Sequence, residues 1–184
     1  MKDMKRKFIT PEYVTADEIR QVRKSLGITQ KDFAELIGVS KPTVERWESS
    51  DGHITGPIVF VTELLRKHKI NLQDYTIPPR VMPIRMWYMY KNTKCTLIDV
   101  DEGRREVSIC NYINNMQFRA FGVREKPTYD DYCDFLESRC FPRSRDNMKL
   151  ILKDLNLPFY DPFMIVQKTK GRMAEDDFWI DIEG

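Results

Sequence analysis

Residues 28–48 read ITQKDFAELIGVSKPTVERWE, and their spacing decides the fold of the first part of the chain. Thr29 and Ser40 each stand just before an apolar-periodic run, where a hydroxyl can cap the free N–H groups of a helix start. Gly38 lies between the two runs, at a tight turn that needs a residue tolerant of positive φ. Ile28, Phe33, Ala34, Ile37, Val39, Val44 and Trp47 fall at spacings that point inward on both helices. Lys41, Pro42, Thr43, Glu45 and Arg46 stay outward on the second helix, a face with donors for phosphates and base edges. The stretch predicts a helix-turn-helix whose second helix fits the major groove of DNA.

Extended upstream, IRQVRKSLGITQKDFAELIGVSKPTVERWE resembles the Cro/repressor-type (Xre) domain. The matching elements are Ile19, Arg20, Arg23, Gly27, Ile28, Thr29, Gln30, Ala34, Gly38, Val39, Ser40, Trp47 and Glu48, in one register over roughly residues 15–67. The resemblance implies that Gln30 contacts a phosphate, that Lys41, Pro42 and Arg46 face the bases, and that Thr43 lies close to the backbone. Together with Ser40 and Glu45 these form the expected DNA-binding set. Pro42 departs from the many relatives with an amide or hydroxyl there. Proline is tolerated early in a helix, since that N–H is free anyway, but it offers a base only apolar contact. Arg46 is then the main candidate for direct readout, because a guanidinium can grip guanine through two bonds. The competing reading is a helical hairpin that dimerises and never meets DNA. Charge discriminates weakly: residues 1–70 hold 13 Lys and Arg against 10 Asp and Glu, and residues 71–184 hold 17 against 18. A homodimer is expected, to give affinity and to match a palindromic operator.

Composition bounds the rest. The 184 residues are 41% hydrophobic and 32% charged, as in a soluble globular chain of one large or two small domains. No stretch has the apolar length of a membrane span, and the basic start MKDMKRK has no apolar region behind it, unlike a signal peptide. Lys2, Lys5, Arg6 and Lys7 read either as an arm that tracks phosphate or as a frayed terminus. Cys95, Cys110, Cys133 and Cys140 form no C-x-x-C pair, and the two histidines, His53 and His68, lie far from them in sequence. Zinc and cysteine-protease chemistry are therefore not expected, and reduced thiols in a cytoplasm are. Cys133 and Cys140, seven residues apart on one helix, read as core. No metal, cofactor or catalytic residue is expected.

Four segments follow: an N-terminal arm at 1–14, the helix-turn-helix domain at 15–70, a linker at 71–83 and an α+β domain at 84–184. Thr15 and Glu18 form a capping box for a first helix that Gly27 ends. After the SSDGHITGP loop, a fourth helix should pack through Ile58, Val61, Leu64 and Leu65. NLQDYTIPPRVMP, with three prolines, breaks regular structure. RMWYMY, KCTLIDVD and REVSICNY then read as strands of a small antiparallel sheet, with MQFRAFG as another. Three helices follow, capped by Thr128, Ser144 and Asp161. The fold class is an all-α helix-turn-helix domain followed by a small α+β domain, antiparallel sheet then three helices. The aromatics Trp87, Tyr88, Tyr90, Phe118 and Phe121 could stack single-stranded nucleic acid. Without basic residues interleaved on the same strands, packing of sheet on helices explains them better.

DFLESRCFPRSRDNMKLILKDLNLPFYDPFMIVQKTKGRMAEDDFW resembles the small N-terminal subdomain of HipA-type kinase toxins. The matching positions are Trp87, Phe135, Leu136, Pro142, Arg145, Leu152, Leu155, Asp161, Pro162, Ile165 and Gly171, over roughly residues 84–180. Where that family has a G-x-D-x-x-G type turn, this chain has Gly171, Arg172 and then MAEDDFW. The kinase core, with its Gly-rich loop and catalytic Asp, is absent. The resemblance implies a kinase-binding module behind a DNA reader: an antitoxin-like autoregulator holding a HipA-type kinase. Trp87, Arg143, Arg145 and Trp179 are its candidate partner-binding residues. Arg139, Arg143 and Arg145 read as phosphate or acid ligands, or as caps of the preceding helix C-terminus. Glu175, Asp176, Asp177, Asp181 and Glu183 read as a solvated edge rather than a Mg²⁺ site, and Phe178, Trp179 and Ile180 among them as a final strand or docking segment. Two other readings stay open: a ligand-responsive regulator, and a mobile-element protein that inhibits a host enzyme.

Overall fold

The computed structural model describes residues 8–184. The basic residues Lys2, Lys5, Arg6 and Lys7 lie outside the described residues. The chain divides into two compact units, the first ending at Thr76 and the second beginning at Ile77.

The first unit is helical: α1 (Ala16–Ser25), α2 (Gln30–Leu36), α3 (Lys41–Glu48) and α4 (Pro57–Lys67), then a single 3₁₀ turn at Leu72–Tyr75. Reciprocal capping boxes start the first two helices. The Thr15 hydroxyl accepts from the Glu18 N–H while the Glu18 carboxylate accepts from the Thr15 N–H, and Thr29 and Asp32 repeat the exchange. Gly27 and Gly38, at φ +71° and +72°, take the left-handed turns that end α1 and α2. Ile19, Val22, Phe33, Ala34, Val44, Ile58 and Val59 form the core. Val14 and Ile54 join it and exchange both backbone hydrogen bonds at 2.9 Å, so packed structure begins within the segment expected to be an arm. On α4 the inward set is Ile58, Val59 and Thr62, flanked by Val61 and Leu65. Leu64, expected to pack, is exposed, because it lies one turn beyond exposed Phe60.

The second unit is a four-stranded antiparallel sheet with order β3-β2-β1-β4. Its strands are β1 (Ile84–Tyr90), β2 (Thr93–Asp101), β3 (Glu106–Asn111) and β4 (Phe178–Glu183). Helices α5 (Tyr129–Ser138), α6 (Met148–Asp154) and α7 (Pro162–Thr169) lie between β3 and β4 in sequence. The unit follows the expected plan, with the last strand returning to pair with β1. Period-two alternation splits the sheet into two faces. Met86, Tyr88, Ile98, Val100 and Ile180 meet Tyr132, Phe135, Leu136, Ile165 and Val166 of the helices. Trp87, Met89 and Leu97 point the other way and cluster with Cys110, Tyr112 and Trp179. Two expected elements differ. MQFRAFG is no strand: it makes a short 3₁₀ turn at Met116–Phe118, where the Asn115 side chain accepts from the Gln117 N–H. α6 starts at Met148, after Asn147 in the left-handed conformation, so Ser144 caps nothing and the expected helical residues Arg145, Asp146 and Asn147 lie outside the helix. Cys140 is buried as expected, whereas Cys133 is exposed.

Candidate nucleic-acid interface

The side chains that cross the helical unit explain how α3 is held. Arg23 on α1 donates to both Glu48 carboxylate oxygens, Nε at 2.6 Å and Nη2 at 3.0 Å, and its Nη1 donates to the Ile28 carbonyl at 2.9 Å. Arg20 donates to the Glu48 carbonyl. Gln30, the first residue of α2, donates Nε2 to Glu48 Oε2 at 2.9 Å. A single carboxylate at the end of α3 thus gathers α1 and α2. Hydrogen bonds from Arg23, reinforced by Gln30, hold the Glu48 carboxyl below its usual range against the opposing effect of burial. This lock is what inspection of the sequence missed. Its signal was a Glu next to the inward-facing Trp47, at the end of an apolar run and in step with an Arg in the first helix.

With its inner side so held, α3 turns the expected residues outward. Ser40 caps it, accepting from the Thr43 N–H, and its hydroxyl lies 2.8 Å from that of Thr43. Pro42 sits in the first turn, where its missing N–H costs no helical bond. Lys41 and Glu45 pair across one turn at 2.8 Å and remain about half exposed, 52% and 45%. Arg46 is exposed, and its guanidinium has no hydrogen-bond or ion-pair partner among the described residues. Thr43 is half-buried. Gln30 uses one amide N–H on Glu48 and keeps the other for an external acceptor. Ser40, Lys41, Pro42, Thr43, Glu45 and Arg46 therefore share one helix, with Gln30 tied to its far end through Glu48. Chemically the face offers a mobile ammonium, a forked guanidinium and two hydroxyls at the start of a helix.

The four residues expected to meet a partner do not form one site. Trp87 is 2% exposed, its Nε1 donating to Glu183 at 2.7 Å. Buried as part of the sheet, it is corrected from a surface anchor to a core residue. Trp179 lies on the same face, half-buried, with Nε1 donating to the Lys91 carbonyl at 2.7 Å. Arg143 and Arg145 follow α5, which packs on the opposite face. Arg143 is exposed, pairs with Glu137 at 2.7 Å and lies over the Tyr160 ring; Arg145 is exposed. Arg139 is neither a phosphate ligand nor a simple cap. It is buried, grips Asp176 through two bonds of 2.7 and 3.0 Å, and donates to the carbonyls of Gly171 and Phe178. The acidic cluster is likewise dispersed: Asp176 pairs with Arg139, Asp177 with Lys91, and Glu183 holds Trp87. Among the described residues no group of carboxylates, histidines or cysteines could hold a metal. Tyr88, Tyr90, Phe118 and Phe178 pack ring on ring on the helix side. No helix of the described residues is long and apolar enough to cross a membrane.

Residues 19–60 match the helix-turn-helix family. A curated protein of Pyrococcus furiosus, provisionally named as an HTH-type transcriptional regulatory protein, is 22% identical over 114 residues. That match covers 62% of this chain and 33% of the relative, so the chain spans about a third of the protein it resembles. No solved structure matches the chain.

Proposed function

We propose that the chain is a sequence-specific DNA-binding transcription regulator that places α3 in the major groove. The observation that carries this reading is the division of labour on α3. Val44 is buried in the apolar core and Glu48 in the lock, while Lys41, Pro42, Glu45 and Arg46 are exposed on the other side. The helix-turn-helix match and the name of the archaeal relative support the same reading. In mechanism, Gln30 and the hydroxyls of Ser40 and Thr43 take backbone phosphates and set the register, Pro42 offers apolar contact, and Arg46 reads a guanine edge. Two protomers place their α3 helices in successive major grooves, about one helical turn apart, on a palindromic operator. Exposed Phe60 and Leu64, one turn apart on α4, offer an apolar stripe for that pairing.

The finer proposal is an antitoxin-like repressor that controls its own operon while its second unit holds a HipA-type kinase. It rests on the resemblance of residues 84–180 and on the exposed Arg143 and Arg145. The test is selection of bound duplexes from a random pool, for the native chain and for Arg46→Ala. The native chain should enrich a two-fold symmetric motif. The variant should lose preference at one base step per half-site, by roughly 1–3 kcal/mol. An unchanged motif removes Arg46 from base readout, and no enrichment at all removes the function.

A further inference from the structure

On the sheet face whose cluster draws on no helix, Arg85 is paired with Asp99, but three other cations are seated on aromatic rings and not on carboxylates. Lys94 Nζ lies 4.2 Å from the centre of the Trp87 ring system. Lys170 and Arg172 lie 5.2 and 4.9 Å from that of Trp179. Met89 joins the two groups, because it is in register with Lys94 on β2 and with Trp179 on β4. Lys94, Lys170 and Arg172 have no ion-pair partner among the described residues. The neighbouring acids are mostly occupied: Asp177 by Lys91, Asp176 by Arg139, Asp99 by Arg85 and Glu183 by the Trp87 N–H. Asp181, in register with Trp87 and two residues from Trp179 on the same face of β4, is the acid within the patch.

Lys94 is carried by β2, and the segment that presents Lys170 and Arg172 is tied down at both ends. Arg139, itself buried, holds the carbonyls of Gly171 and Phe178 on either side of Arg172, and the Ile180 N–H donates to the Lys170 carbonyl at 2.7 Å. An ammonium or guanidinium lying on an indole still directs N–H donors outward. Several such cations on a rigid surface favour a polyanion, because each phosphate they neutralise releases a condensed counterion. Single-strand binders combine two contacts, a basic track for the backbone and aromatic rings for the bases. This surface offers the first, since its indoles are covered by the cations.

We propose that Lys94, Lys170 and Arg172 form a second nucleic-acid contact, gripping the phosphate backbone of a single strand independently of the helix-turn-helix. The test is binding of the full chain to a mixed-sequence single-stranded DNA of about twenty nucleotides across a salt series. A single strand lacks the major groove that α3 needs, so failure here and failure of the operator reading are separable. Replacing the three residues by glutamine should flatten the salt slope by about 2 and weaken binding at low salt at least tenfold. Lys41→Ala with Arg46→Ala should leave single-strand binding unchanged. Lys94→Arg with Lys170→Arg should retain it, which separates lost charge from lost folding. The proposal is overturned if the native chain ignores the strand, if the triple variant keeps its slope, or if loss follows the α3 variants. It is equally overturned if a polyglutamate peptide competes as well as the strand, which would mark a docking site for an acidic protein.

Discussion

Both units hold an arginine that grips a carboxylate through two bonds, with Glu48 the buried partner in the first and the arginine buried in the second, yet the pairs do different jobs. In the helical unit, Arg23–Glu48 joins α1 to α3, two helices of 10 and 8 residues. Helices this short present little apolar area, and apolar contact has no direction, so burial alone fixes their relative angle poorly. A directional pair does so, and it sits on the helix that carries Arg46. In the second unit the ladder bonds already fix β1 against β2, and Arg85–Asp99 lies directly across that register at 2.7 Å. There the position-setting cation is Arg139, which secures the return from α7 into β4. One unit uses a buried charge to aim a helix, and the other uses it to hold a loop.

Arg139→Ala should give the largest effect. It strands Asp176 and the carbonyls of Gly171 and Phe178, at a cost of roughly 3–5 kcal/mol. Calorimetry should show the second unit melting earlier while operator binding at permissive temperature is kept. Equal loss of DNA binding would mean that the two units are not separable in the way the comparison requires.

Glu48→Gln should cost less, about 2 kcal/mol, because an amide still accepts from Arg23 but no longer answers its charge. The informative readout is binding rather than melting. If the lock aims α3, operator affinity should fall at temperatures where the variant is fully folded by circular dichroism. Unchanged affinity would reduce Arg23–Glu48 to a stabilising contact.

Acid titration addresses both pairs together. Hydrogen bonds from Arg23 and Arg139 depress the Glu48 and Asp176 carboxyls respectively. A depressed carboxyl contributes stability that is present above its unfolded value, near 4, and is lost as pH falls through the folded value. Denaturant midpoints should therefore hold from neutral pH to about 5 and then decline. Glu48→Gln should flatten that decline for the helical unit and leave it for the other.

How much of this was legible from sequence depended on the range of the interaction. Thr15, Thr29, Thr128 and Asp161 were readable as caps because each bonds within three residues. The outward face of α3 follows from period alone. Ser144 failed as a cap because Asn147, left-handed at φ +59°, delays the helix, and no local signal forbids the earlier start. Trp87 failed as an anchor because its burial is set by residues far along the chain: Glu183 accepts from its indole, and Tyr112 and Trp179 close around it. Arg139 spans 37 residues to Asp176 and was equally out of reach.

The smallest expected effect sharpens the contrast most. Lys41–Glu45 has the same chemistry as Arg23–Glu48, a cation on a glutamate at 2.8 against 2.6 Å. Distance does not separate them, but solvent does. The α3 pair is about half exposed and lies one turn apart on a single helix, so Lys41→Ala should change stability by only about 0.3–0.5 kcal/mol. Water already solvates both partners, and the pair joins no second element. Its consequence should appear on DNA, where Lys41 must leave Glu45 to reach a phosphate or base. Lys41→Ala should weaken operator binding and lower the salt slope by about 1 if the contact is to phosphate. If the contact is to a base, the slope should stay and specificity should relax at one position. A stability loss above 1 kcal/mol would show that the exposed face of α3 is part of the scaffold after all.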